Sequence, residues 1–445
     1  MLNLLPIMMD YEKWLKFKDL EYREGILYMA DVNTVDIAKT YGTPIYVINE
    51  DLIRKRYKTL KKVLNSVYKN NQVHFAMKAN SSLSILKILK SEGAYFDCTS
   101  TGEIYTCFKA GISSEKIIYT GNMFTNEDFK FAVENDILVN LDSISQIKRL
   151  AKVYDDLRKE KNLISFRINP EFGAGHHSHA ITAGKDIKFG ILEDQVMEAY
   201  SKAKEYGFKK FGTHIHVGSG ILDPNDFDKA SEKYLAIITK LADTLDIQFD
   251  FVDFGGGLGI PYRPEEDPLD LEVYKEVIIK KFKELIEKGD MNQANFKIEP
   301  GRFLTAEASI ILTQINTIKD NGYKLFAGVN AGFNTLMRPI LYNSYHHIIL
   351  CNENERKKRV RYDVVGPICE SGDVLGKGRL LPELREGDFL AILDTGAYGY
   401  TMSSPYNSRP RPAEVLINDG KSYLIRNAEN YDDLLDQQII PKHLK

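Results

Sequence analysis

The chain has 445 residues, 43% hydrophobic and 27% charged, with a formal net charge of −3, which exceeds one average domain and suits a folded rather than a disordered protein. That charge gives no electrostatic reason to expect nucleic acid or an anionic membrane as partner. Its four cysteines (Cys98, Cys107, Cys351 and Cys369) form no C-x-x-C pair, which argues against a disulfide framework and a structural zinc site.

The opening MLNLLPIMMDYEKW has no basic start, and its apolar run is too short for a secretory signal. No later run is long enough to span a bilayer, so a cytoplasmic protein is expected. GILYMADVN and TPIYVIN then look like strands. From Gln72 to Arg302 a strand-sized apolar run recurs eight times: QVHFAMK, AYFDCTS, KIIYTGN, ILVNLDS, LISFRIN, GTHIHVG, FDFVDFGGG and FKIEPGR. Amphipathic segments such as SQIKRLAKVYDDLRKEK lie between them, with apolar residues at helical spacing. Strands alternating with helices imply a parallel sheet, and eight units fit a closed (β/α)8 barrel, with an open doubly wound sheet as the competitor. Lys78, Asn122, Asp142, Asn169, His216, Gly255 to Gly257 and Glu299 all fall at the C-terminal ends of runs. A barrel gathers ligands from nearly every strand at one face, whereas an open sheet uses few, so the barrel is favoured.

After Arg302 the runs SIILTQI, YKLFAGV, RYDVVGP, DFLAILD, AEVLI and SYLIR are short and punctuated by turns such as Asp320-Asn321-Gly322 and Asn418-Asp419-Gly420. They read as an antiparallel β domain, and the N-terminal strands are expected to pack with it. The expected organisation is an N-terminal segment 1–47, a barrel 48–305 and a C-terminal β domain 306–445. The basic run Arg356 to Arg359, flanked by acids, reads as a solvated hairpin tip.

Several residues at these positions carry chemistry. Lys78, leaving an apolar strand, can lose solvation and act in Schiff-base chemistry, or simply reach to solvent. Gly255, Gly256 and Gly257 allow backbone N–H groups to approach an anion, though a tight turn would need them too. Glu299-Pro300-Gly301-Arg302 offers a carboxylate and a guanidinium for two different charges, or a rim ion pair. His214 and His216 are expected to face opposite sides, with His216 and Ser219 at the barrel mouth and His214 in the core. The cluster His176, His177 and His179 lacks the spacing that completes a metal site, and no metal is expected. Cys369 beside Glu370 pairs a thiol with a carboxylate.

In order, HFAMKAN, HIHVGSG, DFGGGLG, EPGR, GPICESGD and DTGAYGYTMSSPYNSRPRPAEV resemble the fold-type III pyridoxal-5′-phosphate (PLP) decarboxylases, most closely those acting on diaminopimelate. The resemblance runs from about Tyr46 to about Ile417. It implies an alanine-racemase-like barrel with a C-terminal β domain, and PLP carried by Lys78. It also implies His216 stacked on the pyridine ring, Glu299 on the pyridine nitrogen, and phosphate held by Ser219, Gly255 to Gly257 and Tyr398. Gly301 and Arg302 belong to the EPGR motif. Arg302, Arg338, Tyr342, Glu370 and Tyr398 are implied in substrate binding, and Cys369 as proton donor. A homodimer with shared active sites is implied as well. The reaction implied is conversion of meso-2,6-diaminopimelate to L-lysine and CO2, the last step of lysine biosynthesis. Ornithine, arginine or carboxynorspermidine is the alternative substrate. A metal-dependent hydrolase and a non-catalytic PLP-binding barrel are the competing readings. The histidine-rich stretch before Lys188-Phe189-Gly190, and Pro405, depart from the family pattern.

Overall fold

The computed structural model describes residues 11–171, 184, 186–288, 293–353 and 356–445, so the loop with His176 to His179 lies outside the described residues. The chain divides into two compact units, one of Arg54–Pro261 and Asp267–Leu304, the other of Met1–Ile53, Tyr262–Glu266 and Thr305–Lys445.

The first unit is the barrel. All eight expected runs are strands: Asn71–Ala76, Tyr95–Cys98, Ile117–Tyr119, Leu138–Leu141, Leu163–Asn169, Lys210–His214, Phe249–Asp253 and Asn295–Ile298. Each is parallel to the next, and the eighth pairs with the first through Phe296 opposite Asn71, which closes the cylinder. A short further strand, Ile191–Leu192, adds to the fifth. The helices between strands are amphipathic for the reason their spacing suggests. Ser145–Asp156 buries Gln146, Ile147, Leu150 and Ala151, one stripe at three- and four-residue intervals. Asn126–Glu134 starts with a reciprocal capping box between Thr125 and Asp128, which satisfies N–H groups the helix itself cannot.

The second unit is a mixed sheet buried on both sides. Ile45, Val47, Ile310, Leu312, Ala391 and Leu393 enter one core cluster, while the alternating Tyr46, Ile311, Leu390 and Ile392 enter another. Side chains of a strand alternate between faces, so unbroken apolar runs such as SIIL are what a doubly covered sheet requires. The two expected turns are hairpins, joining Ser309–Asp320 to Leu325–Val329 and Ala413–Asn418 to Lys421–Arg426. The sheet is not wholly antiparallel. Ile45–Asn49 runs parallel to Ala413–Asn418, and Leu325–Val329 runs parallel to Arg359–Val365. A parallel pair needs a long crossover, and in both cases the chain between the partners supplies one. In the basic run Lys357, Lys358 and Arg359 are solvated as expected, while Arg356 is half-buried and forks onto both carboxylate oxygens of Asp388.

Within this unit Lys18 is fully buried, 2.9 Å from Glu307 and 2.7 Å from Asp394, with its ammonium 4.7 Å from the Trp14 ring centre. A buried cation between two carboxylates is costly to remove, because the acids are then left without their counter-charge. Lys18→Met is expected to destabilise the protein by about 3–5 kcal/mol, read as a lowered midpoint in denaturant unfolding. An unchanged midpoint would show that the triad carries no stability.

Candidate active site

The barrel mouth collects charge at the strand ends. Lys78 lies exposed in the turn Met77–Ala79 that follows the first strand. Glu299, just beyond the eighth strand, is only 5% exposed. Its Oε2 lies 3.0 Å from Nε2 of His214, at the end of the sixth strand, and the Thr120 hydroxyl approaches Oε1 at 3.4 Å. Burial opposes ionisation of Glu299, but His214 and then the Lys78 charge outweigh it, and the carboxyl is held well below the usual range. Burial lowers the His214 imidazole, the Glu299 charge and hydrogen bond raise it in part, and His214 Nε2–H donates to the carboxylate. Asp97 and Asp253 go the other way: burial, followed by the charge on Glu299, pushes both well up. Of Asp97, Asp142, Asp253 and Glu299, Glu299 is the one shifted towards its charged form.

His216 stands beside this pair. Its Nδ1 accepts the Gly256 N–H at 3.0 Å, and burial, with the Lys78 and Arg167 charges, lowers its pKa well below the ordinary value. A neutral ring with Nδ1 engaged as acceptor carries its proton on Nε2.

The glycine run is shaped by what surrounds it. Gly255 has φ +67°, and a Cβ there would stand 2.2 Å from the Ile215 carbonyl oxygen. A Cβ on Gly256 would stand 2.4 Å from the Glu299 carbonyl oxygen. Asp253 Oδ1 accepts the Gly255 N–H at 2.8 Å and fixes the start of the loop, while Gly257 lies beside Gly218. Arg302 donates to Ser219 Oγ at 3.0 Å, so a guanidinium and a hydroxyl adjoin the glycine loop. Gly301 packs against the turn that bears Lys78, since a Cβ there would be 2.9 Å from that of Ala79. Hydroxyl, guanidinium and glycine loop offer the donors that a phosphate would need, and Glu299 offers the acceptor that a protonated ring nitrogen would need. The donor set therefore fits a phosphorylated pyridine bound at Lys78.

His214, Asp253 and Glu299 also offer atoms within 4.8 Å of one another, the spacing of a metal site. His214 is bonded to Glu299 and Asp253 caps the glycine loop, so the trio is part of the barrel's own network.

The structure thus brings together Lys78, His216, Ser219, Gly255 to Gly257, Glu299, Gly301 and Arg302 on the barrel. It corrects one expectation: His214 and His216 do not face opposite sides. Residues two apart on an extended segment share a face, and both rings lie close enough to act on Glu299. Asp97, Thr120 and Arg167 are components the sequence did not single out, and His214, expected in the core, is the direct partner of Glu299. His214 ends a strand and Thr120 follows one, the same signal that singled out Lys78, whereas Asp97 and Arg167 lie within theirs.

The remaining candidates lie on the second unit. Arg338 is buried at the start of the helix Arg338–Tyr342, and Tyr342, half-buried, ends it. Tyr398 adopts a left-handed φ of 58° in the loop after the strand Phe389–Ile392. Cys369 and Glu370 are exposed, and their loop is tied by the Cys369 N–H to Asn407 Oδ1 at 2.8 Å.

Residues 50–306 match the family model described as "Pyridoxal-dependent decarboxylase, pyridoxal binding domain". The chain is 44% identical over 429 residues to a diaminopimelate decarboxylase of Methanothermobacter thermautotrophicus, covering 96% of this chain and 99% of that one. It is 38% identical to the diaminopimelate decarboxylase of Aquifex aeolicus, covering 94% and 97%. Among solved structures, the diaminopimelate decarboxylase of M. jannaschii in complex with L-lysine superposes with a TM-score of 0.89 at 32% identity, covering 96% and 99%. That of Helicobacter pylori, also with L-lysine, gives 0.84 at 34% identity, covering 91% and 98%.

The glycine geometry yields a test. Gly256→Ala forces a methyl against the Glu299 carbonyl, and overpacking of this kind costs about 1–3 kcal/mol. A lower thermal midpoint is expected, and an unchanged one would mean the loop relaxes freely.

Proposed function

The chain belongs to the diaminopimelate decarboxylases, within the pyridoxal-dependent decarboxylase family, and we propose that its chemistry is organised around Lys78 and Glu299. The reaction is PLP-dependent decarboxylation of meso-2,6-diaminopimelate to L-lysine and CO2, the last step of lysine biosynthesis. The observation that carries the proposed arrangement is the buried Glu299 carboxylate, ionised by His214 and facing the charge of Lys78.

PLP, when bound, supplies an electron sink for the pair left behind as CO2 departs. Lys78 would hold the cofactor covalently and yield its place to the substrate amine. Glu299 would keep the ring nitrogen protonated, and His216 would lie on the ring face. Ser219, Arg302 and the Gly255 to Gly257 loop would hold the phosphate, joined by Tyr398, while Gly301 lets the EPGR turn pack beside Lys78. Arg302, Arg338, Tyr342, Glu370 and Tyr398 would bind substrate. Arginine forks suit the distal carboxylate that separates diaminopimelate from other basic amino acids, and Glu370 suits the distal ammonium. Cys369 would deliver the proton that replaces CO2 at Cα. The family resemblance and the exposure of Cys369 and Glu370 support a homodimer in which these two residues serve the site of the other copy. No described helix is long and apolar enough to cross a membrane, and we propose a cytoplasmic location.

Two outcomes follow. Borohydride should fix PLP on the peptide containing Lys78, and Lys78→Ala should lose both the adduct and turnover while keeping its circular dichroism. Cofactor fixed on another lysine would contradict the assignment. Across meso-diaminopimelate, L-ornithine, L-arginine and carboxynorspermidine, kcat/KM should favour the first by about 10⁴-fold, because the others leave polar groups of the site unpaired. A preference for any other substrate would overturn the arginine assignment.

A further inference from the structure

Arg338 is held in the second unit by a chain of contacts that no role above uses. Its Nη1 lies 2.8 Å from Nε2 of His346, and the other ring nitrogen, Nδ1, lies 2.8 Å from the carbonyl oxygen of Leu393. A carbonyl only accepts and a guanidinium only donates, so the two contacts are compatible with one form of the ring: neutral, with the proton on Nδ1 and Nε2 accepting from Arg338. His346 is fully buried and Arg338 is 5% exposed.

The ring is itself held on several sides. The adjacent backbone is tied to the same strand end, Leu393 N–H donating to the His347 carbonyl at 2.9 Å. Arg379 donates to the His346 carbonyl at 3.1 Å. Tyr262 packs edge-on against the imidazole at 5.4 Å and carries the Arg338 guanidinium over its ring at 4.9 Å. Leu393 is followed by Asp394, pinned by Lys18 at 2.7 Å. An arginine with several free torsions is thus brought to one orientation by a ring whose tautomer is fixed by a backbone carbonyl.

We propose that His346 is a positioning residue for substrate selection: by accepting from Nη1 it aims the Arg338 fork, and it thereby sets the preference for an amino acid with a distal carboxylate. This rests on the assignment of Arg338 to the substrate. The preference for a distal carboxylate depends on the fork being in place before substrate arrives, since an unaligned cation must be ordered at the expense of binding.

Two near-isosteric variants separate the contacts. In His346→Asn the amide nitrogen takes the place of Nδ1 and keeps the Leu393 contact, but residue 346 no longer offers Arg338 an acceptor. In His346→Gln the longer side chain restores an acceptor near Nε2. Steady-state kinetics on meso-diaminopimelate and L-ornithine, with PLP absorbance and thermal midpoint recorded for each variant, read the effect. His346→Asn is expected to raise KM for meso-diaminopimelate by about tenfold, with a smaller change in kcat, and to shrink the diaminopimelate-to-ornithine ratio of kcat/KM equally. PLP absorbance should be unchanged, and His346→Gln should recover most of the ratio. A merely structural role would move the midpoint and PLP content but leave the ratio intact. Arg338→Ala is measured in parallel. If it collapses the ratio while His346→Asn keeps the wild-type value, the positioning role is wrong. If Arg338→Ala itself leaves the ratio unchanged, the substrate assignment of Arg338 fails, and the inference with it.

Discussion

The barrel site depends on one ion: the carboxylate of Glu299, almost fully buried and still charged. A buried charge is tolerable only with partners, and here the His214 ring donates to one oxygen while the Lys78 ammonium lies nearby. The same charge sets the state of its neighbours. It helps push Asp97 and Asp253 towards their neutral forms, so negative charge at the mouth is drawn towards one carboxylate. The loops follow from it too. The Glu299 carbonyl excludes any side chain at position 256, and the Gly256 N–H engages His216. Moving Glu299 would thus disturb the acid, both histidines and the glycine loop together.

The second unit shows the same logic in a different register. Its charged residues are placed by buried pairings within a doubly covered sheet: Lys18 with Glu307 and Asp394, and His346 with Arg338 and the Leu393 carbonyl. Asp394 and Leu393 are consecutive, so the N-terminal helix Tyr11–Phe17 and the turn after it brace the strand end that fixes the His346 ring. The N-terminal segment is therefore part of the framework that orients Arg338.

Much of this was legible in the sequence because the barrel strands advertise themselves. Each is a short apolar run with a polar residue at its end, and Lys78, Glu299 and the glycine run all stand at such ends. The order of the motifs conveyed the family. Pairwise geometry was less legible. The relation between His214 and His216 was misjudged although strand periodicity places them on one face. Thr120, Asp97 and Arg167 looked like ordinary polar residues in or just after a strand, since nothing local says that a distant glutamate will be their neighbour. His346 was invisible for a related reason: Leu393 and Tyr262, which hold its ring, are 47 and 84 positions away, and no local pattern links them to it. The parallel pairings of the second unit were missed because a long crossover leaves no turn signature, whether it contains the whole barrel, as between Ile45–Asn49 and Ala413–Asn418, or residues 330–358, as between Leu325–Val329 and Arg359–Val365.

The central claim is that Glu299 works as an anion. It is tested most directly by the turnover of PLP-loaded Glu299→Gln on saturating meso-diaminopimelate, with PLP content measured in the same sample. The amide keeps the shape and can still bond to His214, but it carries no charge. Loss of one preorganised electrostatic group of this kind typically costs about 10²–10³ in kcat, and the account predicts a loss of that order with PLP still bound. A variant that holds PLP and turns over at the wild-type rate would contradict it.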